Sequence, residues 1–95
     1  MAISIDKVEY TPDPIVAGKK VKATFKVSAD AGVASVKLYT PDYRTLEAHS
    51  EGNDGVYTLE TEAPYDAPPG IYDVTVVVTD KNGEVLRKSY SVRVG

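Results

Sequence analysis

The 95-residue chain has no cysteine and no tryptophan, and only one histidine, one methionine and one phenylalanine. Without cysteine there can be no disulfide, no thiolate metal site and no thiol nucleophile, and the redox compartment is left open. The single histidine, His49, stands near Glu47 and Glu51 with no nucleophile or orienting partner designated by the sequence. A catalytic imidazole needs both, so His49 reads as an exposed edge residue. A transition-metal site with one imidazole and no thiolate would have to be built from several carboxylates, and no cofactor is expected. Phosphate-binding glycine loops, zincin helices and nucleophile elbows are also missing. The chain is therefore expected not to be an enzyme. No apolar run reaches the roughly 18–20 residues of a membrane helix, so membrane insertion is not expected. The opening MAISIDKVEY lacks the basic-then-apolar order of a signal peptide. The formal net charge of −3 argues against nucleic acid as a partner, because phosphate binding wants a concentrated basic surface.

What is present is an ordinary globular composition, 42% hydrophobic and 26% charged, which argues against disorder. The length suits one domain over residues 1–95, with about 65% of its unfolded surface buried and one modest core. The chain begins almost on a strand and stops at SVRVG, so it is expected to be a module of a longer protein.

Helical periodicity is absent. Period-two alternation recurs instead, broken by turn residues about every 8 to 12 positions, which points to a sandwich or barrel. Seven strands are predicted. AISIDKVEY is the first, with Ile3 and Ile5 on one parity and Val8 and Tyr10 on the other. A bulge or kink near Asp6–Lys7 is implied, dividing the strand between two sheets. The prolines of TPDP suit an edge that must not recruit another chain. KKVKATFKVSA turns Val21, Ala23, Phe25 and Val27 inward, and VASVKLY turns Val36 and Leu38 inward. TLEAHS is a short strand, and VYTLETEA directs Tyr57, Leu59 and Thr61 to the core. After the stiff crossover PYDAPPG, the sixth strand places Tyr72, Val74, Val76 and Val78 on one face, and VLRKSYSVRV closes the set.

Asn82–Gly83 suits a type I turn followed by a left-handed glycine. Asp80 then faces Glu84, Val78 faces Leu86, Val74 faces Tyr90 and Tyr72 faces Val92. Lys88 falls in phase with the core, opposite Val76. Either it snorkels from a sheet edge, or a bulge near Ser89 resets the register. EGNDG (Glu51 to Gly55) has oxygen donors but too little length for a calcium loop, and it reads as a turn.

The order PPGIYDVTVVVTDKNG resembles the E–F corner, F strand and F–G turn of immunoglobulin-like and fibronectin type III-like domains. DGVYTLETEAP and YTPDPIVAGKKVKATFKV resemble the E strand and the A–B region of such modules in bacterial and archaeal surface proteins. The resemblance spans nearly the whole chain. It implies a seven-stranded antiparallel immunoglobulin-like β-sandwich with Greek-key connections and no disulfide. Tyr72 then resembles the tyrosine corner, whose hydroxyl bonds back to upstream backbone. The resemblance implies a non-catalytic structural, spacer or adhesion module, extracellular or at the cell surface as part of a larger protein. Its partners would be neighbouring domains of the same parent chain.

The outward residues divide into two surfaces. Lys20, Lys22 and Lys26 should neighbour Thr58, Glu60 and Glu62, a self-neutralised ladder and a poor interface. The other sheet should expose Lys37, Tyr39, Asp73, Thr75, Val77, Arg87 and Arg93, with Tyr43 and Tyr65 on loops. Lys37, Tyr39, Tyr43, Val77 and Arg87 form the candidate partner-binding face, for carbohydrate or protein, because aromatics and arginine concentrate at binding hot spots.

Overall fold

The computed structural model describes residues 3–11, 13–50, 52 and 55–95. It is all-β, with strands β1 (Ile3–Thr11), β2 (Lys20–Ala29), β3 (Val33–Tyr39), β4 (Thr45–Ser50), β5 (Val56–Glu62), β6 (Gly70–Asp80) and β7 (Val85–Val94). The hydrogen-bonded order is β1-β2-β5-β4-β3-β6-β7, with every neighbour antiparallel. One layer holds β1, β2 and β5, and the other holds β3, β6 and β7. The chain crosses between layers from β2 to β3 and from β5 to β6, the Greek-key pattern expected. β4 serves both layers: Thr45 to Ala48 pair with β3, while His49 and Ser50 pair with Thr58 and Tyr57 of β5.

Alternation builds the core. Val21, Ala23, Phe25 and Val27 of β2 are all buried, with their neighbours outside. Phe25, Val36, Val76 and Val78 are the largest fully buried side chains. Each such burial contributes roughly 1.5–3 kcal/mol relative to exposure. The register of β1 shifts between Ile5 and Lys7, so Ile3, Ile5, Val8 and Tyr10 all pack on this core despite their differing parity. The bulge does not divide the strand between sheets, as the sequence suggested. Both halves pair with β2, because one extra residue resets side-chain phase without ending the ladder. The crossing comes later, at Ile15, which makes a parallel bridge to Val94. The Ile15 amide donates to the Arg93 carbonyl at 2.7 Å, and the Gly95 amide donates to the Ile15 carbonyl at 3.0 Å.

The β6–β7 hairpin has the expected register throughout, from Gly70↔Val94 to Thr79↔Val85, with Val76 opposite Lys88 and no bulge at Ser89. Lys88 is exposed on the edge strand, its ammonium 5.9 Å from the Tyr90 ring centroid, so the snorkelling alternative is the one adopted. Gly83 has φ +85°, and Asp80 and Glu84 close the turn through a 2.9 Å backbone bond. The buried Asp80 carboxylate accepts from the amides of Asn82 (2.9 Å) and Glu84 (2.8 Å). That role is the standard use of aspartate at a turn start, and sequence reading overlooked it.

The charge ladder is only half as expected. Lys20 faces Glu62 and Lys22 faces Glu60, but Lys26 stands between Lys7 and Val56. Among the described residues no ion pair closes across β2 and β5. The closed pairs are Lys7–Glu9, Arg44–Asp42 and Arg93–Asp13. Long exposed side chains gain too little from such pairing to hold one geometry.

The molecule measures 40 × 22 × 18 Å. The β2–β3 and β6–β7 turns meet at one pole, where the Lys81 amide donates to the Gly32 carbonyl. The β1–β2, β3–β4 and β5–β6 loops and the end of β7 gather at the other.

Candidate functional site

β4 decides the geometry of that second pole. Its first four residues follow β3, and only its last two reach β5. Toward the pole β4 and β5 therefore part, and the wall between the layers is left open. The residues that could fill the gap are small: Ala23 on β2, Ala63 and Ala67 on the crossover. The buried side chains accordingly form two clusters. The larger centres on Phe25, Val36, Val76 and Val78, and the smaller holds Ile15, Val21 and Val94 with Tyr72 and Val92 against it.

Between the clusters lies a cleft of about 520 Å³. Val21, Ala23 and Phe25 form one wall, and Leu38, Leu46, Val74, Val92 and Val94 the other. The β3–β4 and β5–β6 loops frame its mouth. Arg44 spans the opening, its Nη1 3.5 Å from the Thr61 Oγ1. Exposed apolar side chains collect at this pole. Tyr43 is 98% and Tyr65 87% exposed on the framing loops, with Val16, Tyr39 and Ile71 also exposed nearby.

The mouth is acidic. Glu9, Asp42, Glu62 and Asp66 line the cleft with Arg44; outside the lining, Lys7 pairs with Glu9 and Lys20 stands opposite Glu62. Arg44 Nε donates to Asp42 Oδ2 at 2.9 Å. The Thr40 hydroxyl donates to Asp42 Oδ1, and the Arg44 amide donates to Thr40 Oγ1 at 3.0 Å. The Asp42 carboxyl is held below its ordinary value, chiefly by the Thr40 hydrogen bond, against some desolvation and with help from the Arg44 charge. This knot holds Tyr43 at φ +65°, an unusual conformation for a bulky residue.

The anticipated partner-binding face is only partly assembled. Lys37, Val77 and Arg87 do lie in one row across β3, β6 and β7. Val77, however, is only 6% exposed, which corrects its placement as a surface contact. It sits on the inner strand of three, between two long side chains whose aliphatic stems can cover it. Lys37 is half-buried, Arg87 exposed and Tyr39 38% exposed. Tyr43 is away from the row, at the cleft mouth. The Tyr72 hydroxyl donates to the Pro68 carbonyl at 2.5 Å, and the half-buried ring lines the cleft. His49 is exposed. Of the turn from Glu51 to Gly55, residues Glu51, Asn53 and Asp54 lie outside the described residues. Among the described residues no group of three metal-ligating side chains forms.

Sequence reading missed the cleft. The available signal was the two alanines and three prolines between Ala63 and Pro69, which, with Tyr65 turned out to solvent, give too little bulk for the end of a sandwich core.

No family model matches the chain, and no curated protein matches it. Solved structures do. Fibronectin(III)-like modules of Clostridium thermocellum CbhA match at 21% identity and TM-score 0.61, covering 99% of this chain and 46% of theirs. The endo-β-1,4-mannanase of Thermotoga petrophila matches at 15% identity and TM-score 0.70, covering 97% of this chain and 20% of that one. The soluble domain of PmoD from a Methylocystis species matches at 18% identity and TM-score 0.58, covering 98% and 90%. The chain thus spans less than half the length of the first two structures. At these identities the likeness concerns the fold: seven antiparallel strands, two layers and a tyrosine bonded back across the crossover make a fibronectin(III)-like β-sandwich.

Proposed function

We propose that the chain is a non-catalytic spacer or accessory module of a larger secreted or surface protein. The observation that carries this reading is the match of 99% of this chain to a fibronectin(III)-like fold that is 46% of a longer chain. The described chain runs from Ile3, paired with Ala29 at one pole, to Gly95 beside Ile15 at the other. Segments attached at both ends would leave in opposite directions, up to 40 Å apart. Neighbours joined there would be spaced along a line. The likeness to folds that make up 46% and 20% of longer chains supports the same reading.

A partner other than a neighbouring domain would meet the cleft pole more readily than the β3–β6–β7 face. Val77 is buried there, and the exposed tyrosines stand at the pole.

Small-angle scattering of two copies joined head to tail by a short linker tests the proposal. A maximum dimension near twice the 40 Å of one copy is expected. A folded-back, compact pair would overturn the spacer reading, and turnover of β-1,4-mannan by the isolated chain would overturn the non-catalytic one.

A further inference from the structure

We propose that the cleft between the sheets is a binding site for a small uncharged apolar molecule, an aliphatic chain or alicyclic ring with at most a hydroxyl head. This goes beyond the spacer reading and does not rest on it.

Size, wall chemistry and charge each narrow the occupant. The 520 Å³ volume falls within the roughly 300–1,000 Å³ range of small-molecule sites. The walls are aliphatic and aromatic side chains from both inner faces, Val21, Phe25, Leu38 and Val74 among them. An extended peptide would find backbone partners only along the parted edges of β4 and β5 at the opening; the side-chain walls deeper in offer none, and burying amides there unpaired is unfavourable. An apolar molecule makes no such demand and replaces water against surfaces that water solvates poorly. Where the cleft meets solvent, the Thr61 hydroxyl can take a ligand hydroxyl.

The site disfavours an anionic head. Glu9, Asp42, Glu62 and Asp66 line it with Arg44, while Lys7 pairs with Glu9 and Lys20 stands opposite Glu62. Arg44 already gives its Nε to Asp42. A carboxylate placed there would find the cations already taken by these acids and would lose water against the apolar walls below. Tyr43 and Tyr65 stand nearly free on the two framing loops, outside the cleft lining.

The test is titration of the isotope-labelled chain with dodecan-1-ol, followed by amide shifts and by displacement of the neutral fluorophore N-phenyl-1-naphthylamine. One saturable site is expected, with shifts concentrated on Val21, Ala23, Leu38, Leu46 and Val74 and absent from Lys37 and Arg87. Dodecanoate at pH 8 should bind at least tenfold more weakly. Ala67→Trp plugs the mouth and should weaken dodecanol binding at least tenfold. Ala63→Phe is an independent plug should the first variant not fold, and the shift map and the dodecanoate comparison need no variant at all. The proposal is overturned by a failure to saturate, by shifts on the β3–β6–β7 face, by equal or tighter binding of dodecanoate, or by unchanged affinity in a folded plugged variant. It is also overturned if a second copy closes the cleft, seen as a concentration-dependent dimer that shifts the same amides without ligand. None of these outcomes bears on the scattering test of the spacer reading.

Discussion

Tyr72→Phe removes one oxygen and leaves the rest of the corner in place. The hydroxyl donates to the Pro68 carbonyl at 2.5 Å, a bond that ties the start of β6 to the crossover four residues upstream. A net hydrogen bond of this kind contributes about 0.5–1.5 kcal/mol. A buried carbonyl left unpaired would add about 1–3 kcal/mol more. Pro68 is exposed, however, so water can take the place of the phenol and the second cost does not arise. The ring stays packed against the small cluster of Ile15, Val21 and Val94. The expected loss is therefore about 1 kcal/mol. With a urea dependence of about 1–3 kcal/mol/M for a small domain, the midpoint should fall by roughly 0.5 M at unchanged slope. The melting temperature should fall by about 4–8 °C per kcal/mol. An unchanged midpoint would mean the hydroxyl contributes nothing to the corner. A loss above about 3 kcal/mol would mean that the Pro68 carbonyl is not rescued by water.

Gly55→Ala and Gly83→Ala should differ sharply. Gly83, at φ +85°, has open space where a Cβ would go, so only backbone strain of about 1 kcal/mol is expected. A Cβ on Gly55, at φ +72°, would collide with the Val27 carbonyl oxygen, so its denaturant midpoint should fall further than that of the Gly83 variant, and equal losses would contradict the packing. Val77→Ala should cost about 1–2 kcal/mol in the same assay, the loss of two buried methyl groups, whereas an exposed valine would cost almost nothing. Asp42, with its folded value lowered, stabilises the mouth above its ordinary value of 3.8, and that contribution is lost as pH falls through the folded value. Its carboxyl should titrate below 3.8 by NMR and move back toward it in Thr40→Val; a wild-type midpoint at or above 3.8 would contradict the Thr40 bond.

Much of the fold was legible because strands declare themselves locally. Alternation named the inward residues of β2, and the parity break between Ile5 and Val8 announced the bulge found between Ile5 and Lys7. Asn82–Gly83 carried the register of β6 on β7 over its whole length, since a hairpin's turn sets which residues face each other. The spacing Pro68 to Tyr72 marked a corner because its bond partner is only four residues away.

What remained hidden depended on neighbours far away in the chain. The alternation of β6 gives Val77 an outward side chain, but its burial follows from β6 lying between β3 and β7 with Lys37 and Arg87 in register on either side. Lys26 was assigned an acidic neighbour from β5, but β1 puts Lys7 beside it. The cleft belongs to the same class. It exists because β4 leaves one layer for the other partway along its length, which parts it from β5 over a patch of small side chains. A strand pattern records which face a residue takes. It does not record where two strands diverge, because that separation is set by pairings between segments distant in sequence, each decided by the packing of the whole sandwich.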